Sequence, residues 1–576
     1  MTEDPNETTR APLRLWPGVV IVALVWSAKL AVPVVAPDAV VLALLGGVAG
    51  GLAIWAWWGF FSRAPWLERL GGIFLMIAAL LAAPSVLHVS IARGGAGFLF
   101  PIVALPVMSL AFVVWAVATR NLPDGTRRAT MVATILLSCG VWTLVRTDGV
   151  TGGFGAEFAW RWSQTHEERF LALVVDEPTA LPSAPVATAA MDTGAGWPGF
   201  RGPHRDSIIP GVLIETDWSV SPPVEVWRRS IGPGWSSFAV RGDLFYTQEQ
   251  RGDEEIVAAY SVTTGEPVWK HRDPVRFWDP EAGAGPRGTP ALRGDRVYAF
   301  GATGILNALA ADDGSVVWSR DVSSDTEVSV PGWGFASSPL VVGDVVVVAA
   351  SAKLVAYDLD TGESRWFGPA NQGGYSSPHL FEIDGVVQIV LMGGKGVTSV
   401  APTDGALLWE HAYRGGARIV QPALTADGNL LISGGERTGM RRIDVDRRLA
   451  GWNVEERWTS IRLKPYFSDF VIHDAYAYGF DGTILACIDV ETGERMWKGG
   501  RYGSGQLLLL PDQDVLLVVT EDGELALVAA AADGFAELAR IPAMDGKTWN
   551  HPVLVGDLLL VRNGQEMVAF RLTLVE

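Results

Sequence analysis

The sequence is poor in the residues that cross-link chains, bind metals or grip nucleic acids. Only two cysteines occur in 576 residues, Cys139 and Cys487, far apart and in segments of different character. A disulfide between them is not expected, so burial alone must hold the fold. The eight histidines show no paired metal spacing. Lys plus Arg number 45 against 63 Asp plus Glu, a net charge of -18. With no basic stripe or recognition helix, nucleic acid is not an expected partner. No phosphate loop, nucleophile elbow or zinc motif appears either.

Charge is scarce inside five apolar runs, roughly 15–36, 39–61, 67–89, 99–119 and 129–145. Each is about the 20 residues that a bilayer crossing requires, which predicts five transmembrane helices in residues 1–146 and makes the lipid bilayer a partner. The first run lacks a small-residue cleavage site, and four more follow it, so it does not read as a signal peptide. Gly46, Gly47, Gly50 and Gly51 give the small-residue spacing of close helix contact. Trp57 is expected to face lipid. Seven Arg lie in the N-terminal tail and the second and fourth loops (Arg10, Arg14, Arg63, Arg69, Arg120, Arg127 and Arg128), against Arg93 and Arg146 on the other side. That bias puts the N-terminus inside and everything after residue 146 outside. The expected location is the inner (cytoplasmic) membrane, multi-pass, with the C-terminal part extracytoplasmic, in the periplasm if the source is Gram-negative.

Residues 147–196 read as an amphipathic helix from Ala156 to Leu173, with Phe158, Trp162, Phe170 and Leu171 on one face, then an Ala/Pro/Thr-rich linker from Pro178 to Gly196. Trp197-Pro198-Gly199-Phe200-Arg201-Gly202-Pro203 follows, a lead-in expected to settle on the domain formed by 197–576.

That last domain keeps rewriting one phrase. Gly stands four residues before Trp in Gly265/Trp269, Gly314/Trp318, Gly362/Trp366, Gly405/Trp409 and Gly493/Trp497, each Gly preceded by Thr or Asp. Ten residues before the Trp sits a small residue: Ala259, Ala308, Ala356, Ser399 or Cys487. The pattern is a β-hairpin with a Gly turn, closed by a strand that opens on a large ring. Degenerate copies end at Trp458 and Leu538. The period of about 44 residues suits a four-stranded propeller blade. A lone strand, Val224–Trp227, and the chain's final strand, Met567–Phe570, complete one another, giving an all-β propeller of eight blades.

The repeat resembles the pyrroloquinoline-quinone (PQQ) repeat, best matched by Tyr357-Asp358-Leu359-Asp360-Thr361-Gly362-Glu363-Ser364-Arg365-Trp366 and Ile488-Asp489-Val490-Glu491-Thr492-Gly493-Glu494-Arg495-Met496-Trp497. In that family the Trp docks one blade on the next, which gives Trp269, Trp318, Trp366, Trp409, Trp458 and Trp497 structural roles. The resemblance covers about 224–576. Two branches share the propeller: quinoprotein dehydrogenases, and cofactor-free forms such as the outer-membrane protein assembly lipoprotein. Five spans followed by a propeller also look like the membrane-bound quinoprotein glucose dehydrogenases.

The innermost strand of each blade begins at one rim of the axial channel, so the eight strand starts converge on a funnel. The funnel candidates are Trp235, Arg287, Trp333, Tyr375, Arg418, Gln421, Lys464, Tyr466, Arg501, Tyr502, Trp549 and Asn550. Such a set of rings and cations suits a planar polyanion such as PQQ; equally, strand starts beside a water-filled channel are polar in any propeller. Calcium at a quinone needs clustered oxygen ligands, and only Asp469, Asn550 and Glu249 offer themselves, Asp469 doubling as the best candidate base. The run Gln248–Glu255 reads as a solvated hairpin tip. The expected function is a binding or assembly scaffold at the cell envelope, with no cofactor required and with envelope proteins or a small ligand at the funnel as partners. The alternative is a PQQ- and calcium-dependent dehydrogenase of an alcohol or sugar that passes electrons to membrane quinone.

Overall fold

The computed structural model describes residues 13–36, 39–152, 155–174, 196–413, 418–435, 438–449 and 451–575. The chain divides into two compact units: Met1–Val150 with Phe154–Ser163 and Pro280–Ala282, and Thr151–Gly153 with Gln164–Asp279 and Gly283–Glu576. Almost all of the expected linker, 178–196, lies outside the described residues.

Among the described residues of the first unit, four helices are long and apolar enough to cross a membrane: Trp16–Val35, Val40–Phe61, Trp66–Ser85 and Leu99–Ala118. Gly47, Gly50 and Gly51 of the second lie on its contacts with neighbours, while a Cβ at Gly46 would meet nothing within 4 Å. A Cβ at Gly50 would come within 2.1 Å of Val25, and one at Gly51 within 2.4 Å of Leu105, so only glycine allows this approach. The fifth apolar run folds differently from the expectation of a span over 129–145. Its helix is Asp124–Gly140, 17 residues long, and the run's end passes into the strand Val145–Val150. The helix starts in charged residues because buried Glu68, in the first turn of Trp66–Ala82, pairs with Arg127 at 3.3 Å and Arg128 at 3.6 Å. Trp57 is also not on the surface. It is 2% exposed and sits in a π-helical stretch, Trp57–Phe61, its Nε1 donating to the Arg14 carbonyl at 3.0 Å.

The expected amphipathic helix over 156–173 is half strand. Ala156–Trp160 pairs antiparallel with Val145–Val150, and only His166–Val174 is helical. A capping box sets that start: the Glu168 amide donates to Thr165 Oγ1 at 3.0 Å and the Thr165 amide to Glu168 Oε2 at 2.7 Å.

The second unit carries eight four-stranded antiparallel sheets, the blades of a propeller. Blade 1 is Ala239–Arg241, Leu244–Arg251, Glu254–Ser261 and Pro267–Asp273, and blades 2 to 7 follow in order. Blade 8 takes three strands from the chain's end and its outermost from Val224–Ser230, in the register Val224↔Arg571, Trp227↔Ala569 and Ser230↔Glu566. Closure thus unites the two ends and leaves that blade no missing edge. The repeat glycines Gly265, Gly314, Gly362, Gly405 and Gly493 all sit at φ between 69° and 72°, the left-handed turn that the Thr-Gly and Asp-Gly spacing demands.

One polar run departs from expectation. Gln248, Glu249, Gln250 and Glu255 are buried, because the second and third strands of blade 1 run through the packed ring and each side chain finds a partner. Gln248 donates to the Gly288 carbonyl at 2.7 Å, and Gln250 donates to that of Val275 at 3.0 Å.

Candidate functional site: the axial ring and its mouth

The segments that lead into the innermost strands do converge, and short polar residues stitch them together. The Ser237 amide donates to Thr289 Oγ1 at 3.0 Å, the Thr289 amide to Ser338 Oγ at 2.9 Å, and the Ser338 amide to Ser377 Oγ at 2.9 Å. Further round, Ser376 Oγ bonds Gln421 Oε1 at 3.2 Å, the Gln421 amide donates to Asp469 Oδ1 at 2.8 Å, and the Asp469 amide to Gln506 Oε1 at 3.3 Å. Gln506 Nε2 reaches the Trp549 carbonyl at 3.1 Å, and Asn550 Nδ2 the Ser236 carbonyl at 2.7 Å. The result is a belt around all eight blades, in which buried backbone groups are satisfied by a neighbour's side chain. Gln421 and Asn550 belong to this belt.

The lead-in segment crosses the middle of that belt. Trp197 exchanges backbone hydrogen bonds with Val240 of blade 1, and the Pro198 carbonyl accepts from Leu292 of blade 2 at 2.7 Å. Phe200 meets the His551 ring edge-on at 5.0 Å in blade 8. Arg201 donates to the Phe470 carbonyl at 2.8 Å and stands 3.6 Å from Asp469 in blade 6. Arg205 donates to the carbonyls of Pro339 and Ser338 in blade 3, at 2.9 and 3.1 Å. The Ile209 amide donates to Leu509 of blade 7 at 2.9 Å. Contacts on opposite sides of an eight-membered ring from so short a stretch place it across the axis.

Asp469 is therefore held on three sides. Its Oδ1 takes the Gln421 amide and faces Arg201; its Oδ2 meets His551 Nε2 at 3.1 Å. Burial pushes its carboxyl up, but Arg201 and His551 outweigh burial and hold it below the usual carboxylate range. Burial lowers His551, against the opposing pull of Asp469, and pushes His379 well below the ordinary value with help from Arg205 and Arg201.

The mouth is aromatic. Trp235 and Trp549 stand 4.9 Å apart at 37°, with Lys547 Nζ 5.2 Å above the first ring and 4.1 Å above the second. Phe467 lies 4.8 Å from Trp549 and 5.8 Å from Tyr466. Glu521 accepts from Trp549 Nε1 at 2.7 Å. A second pair, Trp333 and Tyr375, stands 5.0 Å apart. Arg287 donates to the Trp333 carbonyl at 3.1 Å and is ion-paired with buried Asp279.

The other candidate cations are engaged elsewhere. Arg418 is buried with its guanidinium 4.8 Å over Tyr413 and bonded to the carbonyls of Ser433 and Tyr413. Lys464 pairs with Asp481. Arg501 ends the outermost strand of blade 6, Arg495–Arg501, not an innermost one. Tyr502 is buried, its hydroxyl on Glu537. Sequence reasoning gave no site role to Arg205, His551, Glu521 and Asp279, and named Arg201, Lys547 and Glu255 only within longer stretches, without singling them out. Two Arg within five residues of a Gly/Pro-rich stretch were the available signal for Arg201 and Arg205.

The donor set does not fit calcium at a quinone. Asp469 spends its oxygens as described, and Glu249 accepts from Tyr260 at 2.8 Å, from the Gly232 amide and from Arg251 at 2.7 Å. Asn550 turns its amide nitrogen to backbone carbonyls. Among the described residues no group of three or more His, Cys, Asp or Glu could hold a metal ion.

With this geometry in place, the repeats find their relatives. A family model described as outer membrane protein assembly factor BamB matches residues 224–381 and 329–535. The chain belongs to this family. Two relatives carry the same description. That of Yersinia pestis is 24% identical over 288 residues, covering 44% of this chain and 70% of its own. That of Shewanella oneidensis is 24% identical over 379 residues, covering 58% and 85%. Among solved structures, the quinohemoprotein alcohol dehydrogenase ADHIIG of Pseudomonas putida HK5 superposes with a TM-score of 0.49 at 14% identity, over 66% of this chain and 81% of that one.

Proposed function

We propose that the protein is a membrane-anchored, extracytoplasmic binding or assembly scaffold of the bacterial cell envelope. The observation that carries this reading is the state of Asp469 and Glu249. Both carboxylates that a quinone-metal site would need are consumed by Arg201, His551, Arg251 and Tyr260 inside the fold. Asp469, facing the Arg201 guanidinium and held below the usual carboxylate range, is poorly matched to proton abstraction near neutral pH. The name shared by its relatives, an outer membrane protein assembly factor, points the same way. Lys547 over two Trp rings, with Glu521 at the edge of one of them, offers a partly apolar mouth on which a partner's side chains can be buried.

The topology in this reading has five crossings, with Asp124–Gly140 as the fifth, so that an internal N-terminus delivers the propeller to the periplasmic side. The purified full-length protein, given PQQ, calcium, an electron-accepting dye and a panel of alcohols and sugars, should show no turnover. A strain lacking the protein should lose outer-membrane β-barrel proteins, restored by the wild-type chain. Saturable dye reduction dependent on both PQQ and calcium would replace the scaffold with the dehydrogenase.

A further inference from the structure

We infer that the segment from Trp197 to Ile209 is the resident occupant of the propeller axis, an internal ligand that closes the ring to small planar anions. The inference stands apart from the scaffold reading, since an enzyme working elsewhere on the chain would keep the same occupant.

Three observations carry it. First, the segment is tied at both ends before it reaches the axis, by the Trp197–Val240 backbone pair at 3.0 Å and by Ile209 on Leu509 at 2.9 Å. It is thus presented at an effective concentration that a free ligand does not reach. Second, its guanidinium groups supply what the ring lacks. Arg201 spends its donors on Ser207 Oγ at 2.8 Å, the Asp206 carbonyl at 2.9 Å and the Phe470 carbonyl at 2.8 Å, and its charge faces Asp469. Arg205 bridges two consecutive carbonyls of blade 3. The planar fork of an arginine suits such multiple contacts better than a lysine. Third, Asp469 and Arg201 are both buried, at 5% and 3% exposure. Withdrawing the segment would strand a carboxylate inside the ring, which is strongly unfavourable. An anion entering the axis would have to expel this cation and then sit beside Asp469 after it had lost its guanidinium, with only the Gln421 amide and His551 left on the carboxylate. The arrangement selects against the ligand class that the aromatic mouth alone would invite.

The test uses the full-length protein in detergent with two readouts. Titration with PQQ and calcium, followed by tryptophan fluorescence, should give no saturable quenching for the wild type up to millimolar concentration. Backbone hydrogen exchange should show residues 199–209 protected in the wild type. That protection should fall tenfold or more in Arg205→Ala, whose side chain is only half-buried, while the repeat hairpins stay unchanged. Arg201→Lys should show a smaller loss than Arg201→Ala, because charge is kept and the fork is not. Saturable quenching of the wild type would overturn the inference, as would exchange in Arg205→Ala equal to that of the wild type.

Discussion

The indole of Trp269 lies flat against Gly314 of the next blade, where a Cβ would fall 2.4 Å from the ring, and its Nε1 donates to the Ala311 carbonyl at 2.8 Å. The same relation recurs between Trp318 and Gly362, Trp366 and Gly405, Trp458 and Gly493, and across the closure between Trp227 and Gly265. Glycine therefore has two duties in the repeat: it takes the left-handed turn, and it leaves room for the neighbour's ring. Trp409 and Trp497 are the exceptions: nothing lies within 4 Å of a Cβ at Gly534 of blade 7, and Trp497 meets Phe535 edge-on at 5.7 Å instead. Blade 5 offers a long hairpin, Met440–Arg448 with Gly451–Ser460, instead of the Gly turn, and Trp409 donates to Gln388 of its own blade at 2.6 Å.

Truncating these rings should be costly. Trp366→Ala and Trp497→Ala should each lose about 3–5 kcal/mol, as large-to-small changes in packed interiors do. Gly314→Ala should also destabilise, since its Cβ collides with the Trp269 ring and its φ of 72° disfavours any side chain. Denaturant titration of the folded propeller measures all three. Losses under about 1 kcal/mol at the Trp sites would mean that they do not hold neighbouring blades together.

Closure is separable from this. Removing Glu566 to Glu576 deletes the strand between Leu558–Arg562 and Val224–Ser230, so two strands lose their partners at once. The shortened chain should melt well below the intact one and expose an adhesive sheet edge. Scanning fluorimetry with light scattering checks this; unchanged melting without aggregation would contradict closure by the two ends.

The blades were legible in the sequence because their signals are local: a Gly at a turn, a small residue ten positions before a Trp, a ring that must be covered. The contents of the axis were not, because Arg201 meets Phe470 across 269 residues and Arg205 meets Pro339 across 134. Periodicity cannot report such contacts. Asp469 was read as an acidic residue at a strand start, but its arginine partner, Arg201, came from outside the repeats. The misreading of Gln248–Glu255 has the same root. A run of polar residues looks solvated unless one knows that its strand lies inside a ring which supplies every hydrogen bond. Trp57 was misjudged because hydropathy places a helix in lipid without saying which face turns inward.

Orientation rests on the helix Asp124–Gly140. If it crosses, the Arg bias delivers the propeller outside; if it only lies at the surface, four crossings return the chain to its starting side. Alkaline phosphatase fused after Glu576 should be active, and a fluorescent protein fused at the same place dark. The reverse pair of results would reduce the anchor to four spans.

Glu255 is buried at the start of the third strand of blade 1. Burial drives its carboxyl up to about 7, while Arg287 pulls it down and Asp273 pushes it further up. Its oxygens accept from the Ala302 amide at 3.2 Å and from Thr303 at 3.4 Å. The folded state therefore holds this proton more tightly than the unfolded chain, whose glutamate ionises near its ordinary value. Between that value and about 7, the folded protein binds the extra proton, so this group's contribution to stability rises as pH falls. Above about 7 the charge is buried and the contribution is lost. His551 and His379 work in the opposite sense, since their lowered values make the neutral ring the folded form and acid unfavourable. The whole-protein profile mixes these terms, and only a difference isolates one. Glu255→Gln keeps one acceptor oxygen for the Ala302 amide, presents an NH2 donor to the Thr303 hydroxyl, and removes the charge. It should stabilise the propeller by roughly 1–3 kcal/mol at pH 8 and by little at pH 5. Urea titrations of both proteins at the two pH values measure the difference. An equal effect at both would show that the Glu255 carboxyl does not change its protonation in that window.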